Sequence, residues 1–164
     1  MNTQPHDDHI RVLIADDDRH ILECYLDAFN ETEPTGLMKA LDLLDAELFD
    51  PEVDIKEAPK FDVVSCSQGD DAVTLAEEAA NEGHPFDVVI LDIRMPPGID
   101  GVAAGSAIRE MDPDVEIVFV SGYSDIPRDE LERRVPPPMK LHCFSKPLSF
   151  MQLAEDVANM VKAL

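Results

Sequence analysis

Asp92 closes the apolar run Phe86-Asp87-Val88-Val89-Ile90-Leu91, and a Met95-Pro96-Pro97-Gly98-Ile99-Asp100-Gly101 loop follows it at once. Three other apolar runs end in the same manner. Val12-Leu13-Ile14-Ala15 runs into Asp16-Asp17-Asp18, Val115 to Val120 ends at Ser121, and residues 141–145 end at Lys146-Pro147. A carboxylate at the C-terminal tip of a buried strand is held rigidly while still reaching solvent. Asp16, Asp17 and Asp92 in one pocket would repel one another unless protons or a cation compensated. Their hard oxygens, in a partly hydrated site, favour Mg²⁺. A carboxylate can attack phosphorus to give an acyl phosphate, which is a labile product. Lys146 and the metal would then neutralise the oxygens of the transferring group, the main task in phosphoryl transfer. Ser121 offers a hydroxyl to the same oxygens. Together these residues describe a phosphoacceptor site with a divalent metal.

Residues as far apart as 16 and 146 meet only if the chain places every strand tip on one edge. Strands are expected at 10–15, 61–66, 86–91, 115–120 and 141–145. Ile21, Leu22, Tyr25, Leu26 and Phe29 share one helical face over 19–30, with Asp18 placed as its N-cap. Ala72, Val73, Leu75, Ala76 and Ala79-Ala80 mark the inner side of a helix over 69–81. Asp100 stands as the cap of a small-residue helix over 101–111. A polar helix covers 126–134, and Val135-Pro136-Pro137-Pro138 must end it. Leu148 to Leu164 is amphipathic, with Phe150, Leu153, Val157, Met160, Val161 and Leu164 on the buried stripe. The fold class is therefore α/β, with five β/α units and strands apolar enough for a parallel sheet covered on both faces. Right-handed crossovers then align the strand C-termini along one edge.

Two stretches stand outside this alternation. Residues 1–9 read as a polar, flexible arm in which His6 and His9 flank two aspartates. Between about 31 and 60 the chain departs from the β/α pattern. Leu37, Leu41, Leu44 and Leu48 predict an extra amphipathic helix at about 36–48, inserted between the first helix and the second strand. Its apolar face must pack on its own domain or on a partner.

With 45% apolar residues the chain can bury a real core, and with no Trp that core must be mostly Val, Ile, Leu and Ala. A formal charge of −22 argues against direct nucleic acid binding and disfavours anionic membrane surfaces. Cys24, Cys66 and Cys143 have no CxxC spacing, so neither a zinc site nor a disulfide framework is indicated. They read as reduced, mostly packed thiols of a cytoplasmic protein. No secretory leader is visible at the start, and no apolar run suits membrane insertion.

Ile14-Ala15-Asp16-Asp17-Asp18, Leu91-Asp92-Ile93-Arg94-Met95-Pro96, Val120-Ser121-Gly122 and Ser145-Lys146-Pro147-Leu148 occur in that order, each at a strand end. In this the chain resembles a response-regulator receiver domain of two-component signalling over residues 10–164, with the 31–60 insertion outside the common pattern. The resemblance implies a flavodoxin-like doubly wound sheet of order 2-1-3-4-5. It also implies that Asp92 is phosphorylated. Asp17, Asp92 and the backbone carbonyl of Arg94 would bind Mg²⁺ directly, with Asp16 acting through water. Lys146 would contact the phosphoryl group, and its bond to Pro147 is expected to be cis. Ser121 would swing toward phosphorylated Asp92, shifting a pre-existing two-state equilibrium. Arg94 and Tyr123 occupy positions that flank the phosphoryl group. The implied partner is a histidine kinase or histidine phosphotransfer protein, and a homodimer is possible. Only self-phosphorylation from a phosphodonor and self-dephosphorylation are expected, so the chain is not read as an enzyme.

One position departs from the family pattern. Receivers commonly carry an aromatic three residues before the lysine, where it moves with the hydroxyl; here that residue is Cys143. Phe144 should point to the opposite side of the strand. Cys143 is thus either a smaller switch residue or a sign that aromatic coupling is missing. It keeps open a second function, a phosphorylation-independent pseudo-receiver acting as a protein-interaction module. A third, a phosphatase of the haloacid dehalogenase type, needs another Asp where Arg94 stands.

Overall fold

The computed structural model describes residues 9–30, 59–122 and 126–162. Among the described residues the elements alternate: β1 (His9–Ala15), α1 (Arg19–Asn30), β2 (Lys60–Cys66), α2 (Gly69–Asn81), β3 (Val88–Asp92), α3 (Gly101–Met111), β4 (Glu116–Ser121), α4 (Arg128–Arg134), β5 (Leu141–Ser145) and α5 (Phe150–Lys162). A single 3-10 turn, Pro138–Lys140, leads into β5. All five strands pair in parallel in the order β2-β1-β3-β4-β5. The chain is thus the doubly wound α/β fold expected of it. The helix expected at about 36–48 lies outside the described residues, as do residues 1–8. His9, counted with the arm above, instead opens β1 opposite Lys60.

Strand alternation sorts the apolar side chains into two cores. Leu13, Ala15, Val89, Leu91, Ile117, Phe119 and Leu141 face one layer, where Ala72 and Ala76 of α2, Ala104 and Ile108 of α3 and Leu131 of α4 cover them. Val12, Ile14, Val88, Ile90, Val118 and Val120 face the other, against Tyr25 and Phe29 of α1 and Leu153 and Val157 of α5. Burying each such Val, Leu or Ile contributes about 1.5–3 kcal/mol relative to exposure. β3 is buried at every residue, as the central strand of a sheet covered on both sides must be. On the α1/α5 side, edge-to-face ring pairs fasten the layer, Tyr25 on Phe150 and Phe29 on Phe61, each with centroids 4.8 Å apart.

Element ends follow side-chain chemistry. Asp18 Oδ1 accepts from the His20 and Ile21 amides, and Asp100 Oδ1 accepts from Ala103 N at 2.7 Å, so both aspartates cap as expected. The last helix begins at Phe150 rather than Leu148 because Ser149 caps it, its Oγ accepting from Gln152 N. β3 begins two residues later than expected and includes Asp92 itself. Ala80, assigned above to the buried side of α2, is exposed, and so is Cys24, which sits on the solvent face of α1 rather than packed.

Two polar residues enter the core unannounced by the apolar pattern. Arg109 is 6% exposed and Glu116 4%. The Arg109 guanidinium donates to the carbonyls of Pro113, Val115 and Lys140, which ties α3 to the entry of β4 and β5. Glu116 meets His142 Nε2 at 2.9 Å and Lys140 Nζ at 3.7 Å. Burial lowers the affinity of Arg109 for its proton, partly offset by the neighbouring charges of Glu116, Asp112 and Asp114.

Candidate functional site

The parallel sheet places the ends of β1, β3, β4 and β5 side by side, and the four sequence motifs occupy that edge. Asp16 follows β1 directly and is only 1% exposed; its Oδ1 accepts from Asp18 N at 2.9 Å. Asp17 turns outward to solvent. Asp92 ends β3 at 9% exposure, with Oδ1 accepting from Arg94 N at 3.3 Å. One carboxylate oxygen from each of Asp16, Asp17 and Asp92 lies within 4.8 Å of the others. Lys146, one residue beyond β5, donates from Nζ to Asp16 Oδ2 at 3.0 Å and to Asp92 Oδ2 at 3.3 Å. Its backbone amide donates to Ser121 O at 2.8 Å, which seats the lysine beside β4. The Lys146–Pro147 peptide is cis, as expected.

A cleft of about 210 Å³ opens over this cluster, lined by Asp92, Arg94, Ser121, Gly122 and Lys146. Asp16, Asp17, Asp92, Arg94, Ser121 and Lys146 therefore belong to one edge, while Tyr123 lies outside the described residues and Cys143 does not reach the cleft. Cys143 sits two strand positions below Ser145 and turns toward the α2/α3/α4 core, opposite Phe119 on β4. Phe144 points to the other core, as strand alternation requires.

The charges are mutually constrained. Burial pushes the Asp92 carboxyl above its ordinary range and the Asp16 charge pushes it further; Lys146 and the Arg94 amide pull it part of the way back. Burial pulls Lys146 down, but its hydrogen bond to Asp16 and the charges of Asp16 and Asp92 outweigh that and hold it above its usual value. Tyr25, buried beneath the acids, is raised well beyond the ordinary phenol range by burial and by the Asp16 and Asp92 charges. The site is thus an acidic cluster short of positive charge, with one lysine bridging two of its three carboxylates.

Close backbone approach fixes the floor. A Cβ at Gly101 would lie 2.0 Å from Asp92 O and 2.8 Å from its carbonyl carbon, so only glycine lets α3 begin against the end of β3. Gly101 N donates to Ile93 O at 2.9 Å, and Ile93 N to Val120 O at 3.2 Å.

The response regulator receiver domain profile matches residues 53–157, more than half of the chain. The chain belongs to that family. It is a receiver domain of two-component signalling, and receivers as a group bind Mg²⁺ in an acidic pocket and work with histidine kinases or phosphotransfer proteins. The matched span starts after β1, so the Asp16-Asp17 pair falls outside it. The chain is 32% identical over 102 residues to the sensor kinase CckA of Brucella abortus, covering 62% of this chain and 10% of the kinase. The chain thus spans about a tenth of that relative. Among solved structures, a response regulator receiver protein from Sinorhizobium medicae is 26% identical, with a TM-score of 0.61 and coverage of 94% of this chain and 96% of that one. The response regulator TrrA from Thermotoga maritima, solved in complex with Mg²⁺-BeF, is 23% identical, with a TM-score of 0.56 and coverage of 92% and 98%. No helix among the described residues is long and apolar enough to cross a membrane.

Proposed function

We propose that this receiver is a phosphoacceptor: Asp92 takes a phosphoryl group in a Mg²⁺-dependent reaction, and the modified domain then alters its contacts with a partner or output element. The observation that carries this reading is the Lys146 ammonium shared between Asp16 and Asp92, with the third carboxylate of Asp17 in reach. The donor set fits a hard divalent cation: three carboxylates on a solvent-open edge, with the Arg94 main chain beside them. Asp17, Asp92 and the Arg94 carbonyl would hold Mg²⁺, with Asp16 acting through water. Bound there, the ion supplies positive charge to the oxygens of the transferring group. The structure of TrrA with Mg²⁺-BeF supports carrying this chemistry across.

The chain's own residues have distinct tasks. An Asp92 oxygen forms the new P–O bond as the donor's bond to phosphorus breaks, its electron pair leaving with the donor. With a phosphohistidine donor the bond broken is P–N, and the imidazole departs to be protonated. Lys146 must release part of its hold on Asp92 and turn the same ammonium toward the phosphoryl oxygens. Ser121 donates its hydroxyl to one of those oxygens, which biases the domain toward the state that partners read. The expected donor is a histidine kinase or histidine phosphotransfer protein, and the expected compartment is the cytoplasm.

Acetyl phosphate with Mg²⁺ tests the reading directly. Intact mass should rise by one phosphoryl group, not at all in Asp92→Asn, and beryllofluoride with Mg²⁺ should shift the amide resonances of Ser121 and Gly122. A chain that stays unmodified and shows no shift is not a phosphoacceptor. One observation favours a second reading: Cys143 fills the core-facing position with a thiol where an aromatic switch would be expected. A pseudo-receiver would bind its partner equally with and without the donor.

A further inference from the structure

The loop after Asp92 carries the Arg94 carbonyl, yet Pro96 and Pro97 deprive it of two amides with which to brace itself. Its bracing comes from another element. The Gln68 side chain donates from Nε2 to Pro96 O at 3.3 Å and accepts at Oε1 from Gly98 N at 3.2 Å. It therefore satisfies both sides of the loop with one amide group, as a strand backbone would. One residue into α2, Asp70 Oδ2 accepts from Ile99 N at 3.2 Å. The contact is close on both sides: a Cβ at Gly98 would lie 2.4 Å from Asp70 Oδ2, and one at Gly69 would lie 2.6 Å from Ile99 O. Neither Gln68 nor Asp70 belongs to the acidic cluster or to the lining of the cleft.

We infer that Gln68 and Asp70 are positioning residues for phosphorylation of Asp92. Three hydrogen bonds from the start of α2 clamp residues 96–99, so that the Arg94 carbonyl and the Asp92 carboxylate are held in register before the metal arrives. The inference rests on the phosphoacceptor reading above and adds to it the device that pre-organises the metal-binding loop. Without the clamp, ordering the loop would become part of the binding free energy, and Mg²⁺ affinity would fall. Once metal saturates the site, the chemistry at Asp92 should proceed nearly as before.

The test compares the full chain with Gln68→Ala, Asp70→Ala, Asp70→Asn and Asp71→Asn. Mg²⁺ alone is titrated by amide chemical shift, and acetyl phosphate rates are taken at limiting and saturating Mg²⁺. Losing one or two hydrogen bonds should weaken Mg²⁺ binding about 3–10-fold in Gln68→Ala and Asp70→Ala. At saturating Mg²⁺ their rates should return to within about twofold of wild type, since only the metal-binding step carries the loss. Asp70→Asn keeps an acceptor for Ile99 N and should bind Mg²⁺ like wild type. Asp71→Asn removes the same charge one residue along, where none of these bonds is made, and should also match wild type. Gly98→Ala, made from the loop side, should weaken Mg²⁺ as Asp70→Ala does, and less so when combined with it. If both alanine variants bind Mg²⁺ like wild type, the clamp does not position the site. Equal losses in Asp70→Asn and Asp71→Asn would reduce the effect to charge and overturn the inference. A wild-type chain that binds no Mg²⁺ would sink the phosphoacceptor reading first, and this one with it.

Discussion

Replacing Lys146 with methionine isolates the electrostatics of the site, because the new side chain keeps an apolar stem of similar length and loses only the ammonium. Two contacts disappear, at 3.0 Å to Asp16 and 3.3 Å to Asp92. Coulomb's law with an effective dielectric near 20 gives about 5 kcal/mol for each. That attraction is gross, and desolvation of the three charges removes several kcal/mol of it. Truncating one partner of an ion pair costs about 3–5 kcal/mol when the pair is buried and about 0–1 when it is exposed. The Lys146 side chain is 25% exposed, against 1% for Asp16 and 11% for Asp92, so the loss belongs between those limits, at about 2–3 kcal/mol. For a chain of this size that is a fall of about 4–12 °C in Tm.

Two further signatures separate this cause from simple packing damage. Asp92 is already held above its usual value by burial and by Asp16, so without the ammonium it takes up a proton more readily. The difference between wild type and Lys146→Met should therefore shrink as pH falls and Asp92 becomes neutral. Adding Mg²⁺ to the metal-free proteins should stabilise the variant more than wild type, because the ion replaces the missing positive charge. Thermal melts across pH, with chelator and with excess Mg²⁺, read both effects. A Tm loss that is unchanged at low pH and unmoved by Mg²⁺ would refute the account of Lys146 as counter-charge to the acids.

Asp92→Asn should stabilise the metal-free protein at neutral pH. The folded-state pKa of Asp92 lies above its ordinary 3.8, so the folded form holds a proton that the unfolded form releases, and the ionised group opposes folding at higher pH. The gain should be full above the folded pKa and vanish below about 3.8, as denaturant midpoints across pH would show. Gly101→Ala should destabilise by about 3 kcal/mol or more, since the added Cβ collides with the main chain of Asp92, where no flexible side chain can yield. A denaturant midpoint within error of wild type would show that α3 can start elsewhere. Arg109→Leu should cost about 3–5 kcal/mol by leaving the carbonyls of Pro113, Val115 and Lys140 without their donor and removing charge from beside buried Glu116. That loss should appear in urea melts, while Mg²⁺ binding at the opposite end of the strands stays at wild-type strength.

The edge that gathers the acids, Ser121 and Lys146 was legible because its information is local to each strand. An apolar run terminated by Asp, Ser or Lys states both where the strand stops and what stands at its tip, and parallel topology supplies the convergence. Asp18 and Asp100 could be read as caps for the same reason, since a cap acts within three residues. What the sequence hid depends on pairs remote along the chain. Nothing in the spacing of Ser67-Gln68-Gly69-Asp70 points to Pro96, Gly98 or Ile99; the clamp exists only once α2 and the β3–α3 loop have been brought together by the sheet. Arg109 and Glu116 were masked differently. Each lies in an otherwise apolar or small-residue pattern, where a charge is ordinarily assigned to solvent, and only the meeting of α3, β4 and β5 shows that their partners are in place.

That contrast bears on how the two ends of the sheet differ. At the N-terminal end of β4 and β5, the Lys140 and Arg109 charges lie near buried Glu116 and His142 hydrogen-bonds to it, so that acid is matched and the strands are fastened. At the C-terminal end one lysine serves two buried carboxylates with a third beside them, so negative charge is in excess. An end that is already compensated gains little from a ligand. The end that is under-compensated gains from any cation that enters, and it can relinquish Lys146 to a phosphoryl group only when such a cation stands in for it. The requirement for Mg²⁺ in the proposed reaction thus follows from the deficit in charge at this edge, and a lysine-to-acid ratio closer to balance there would weaken it.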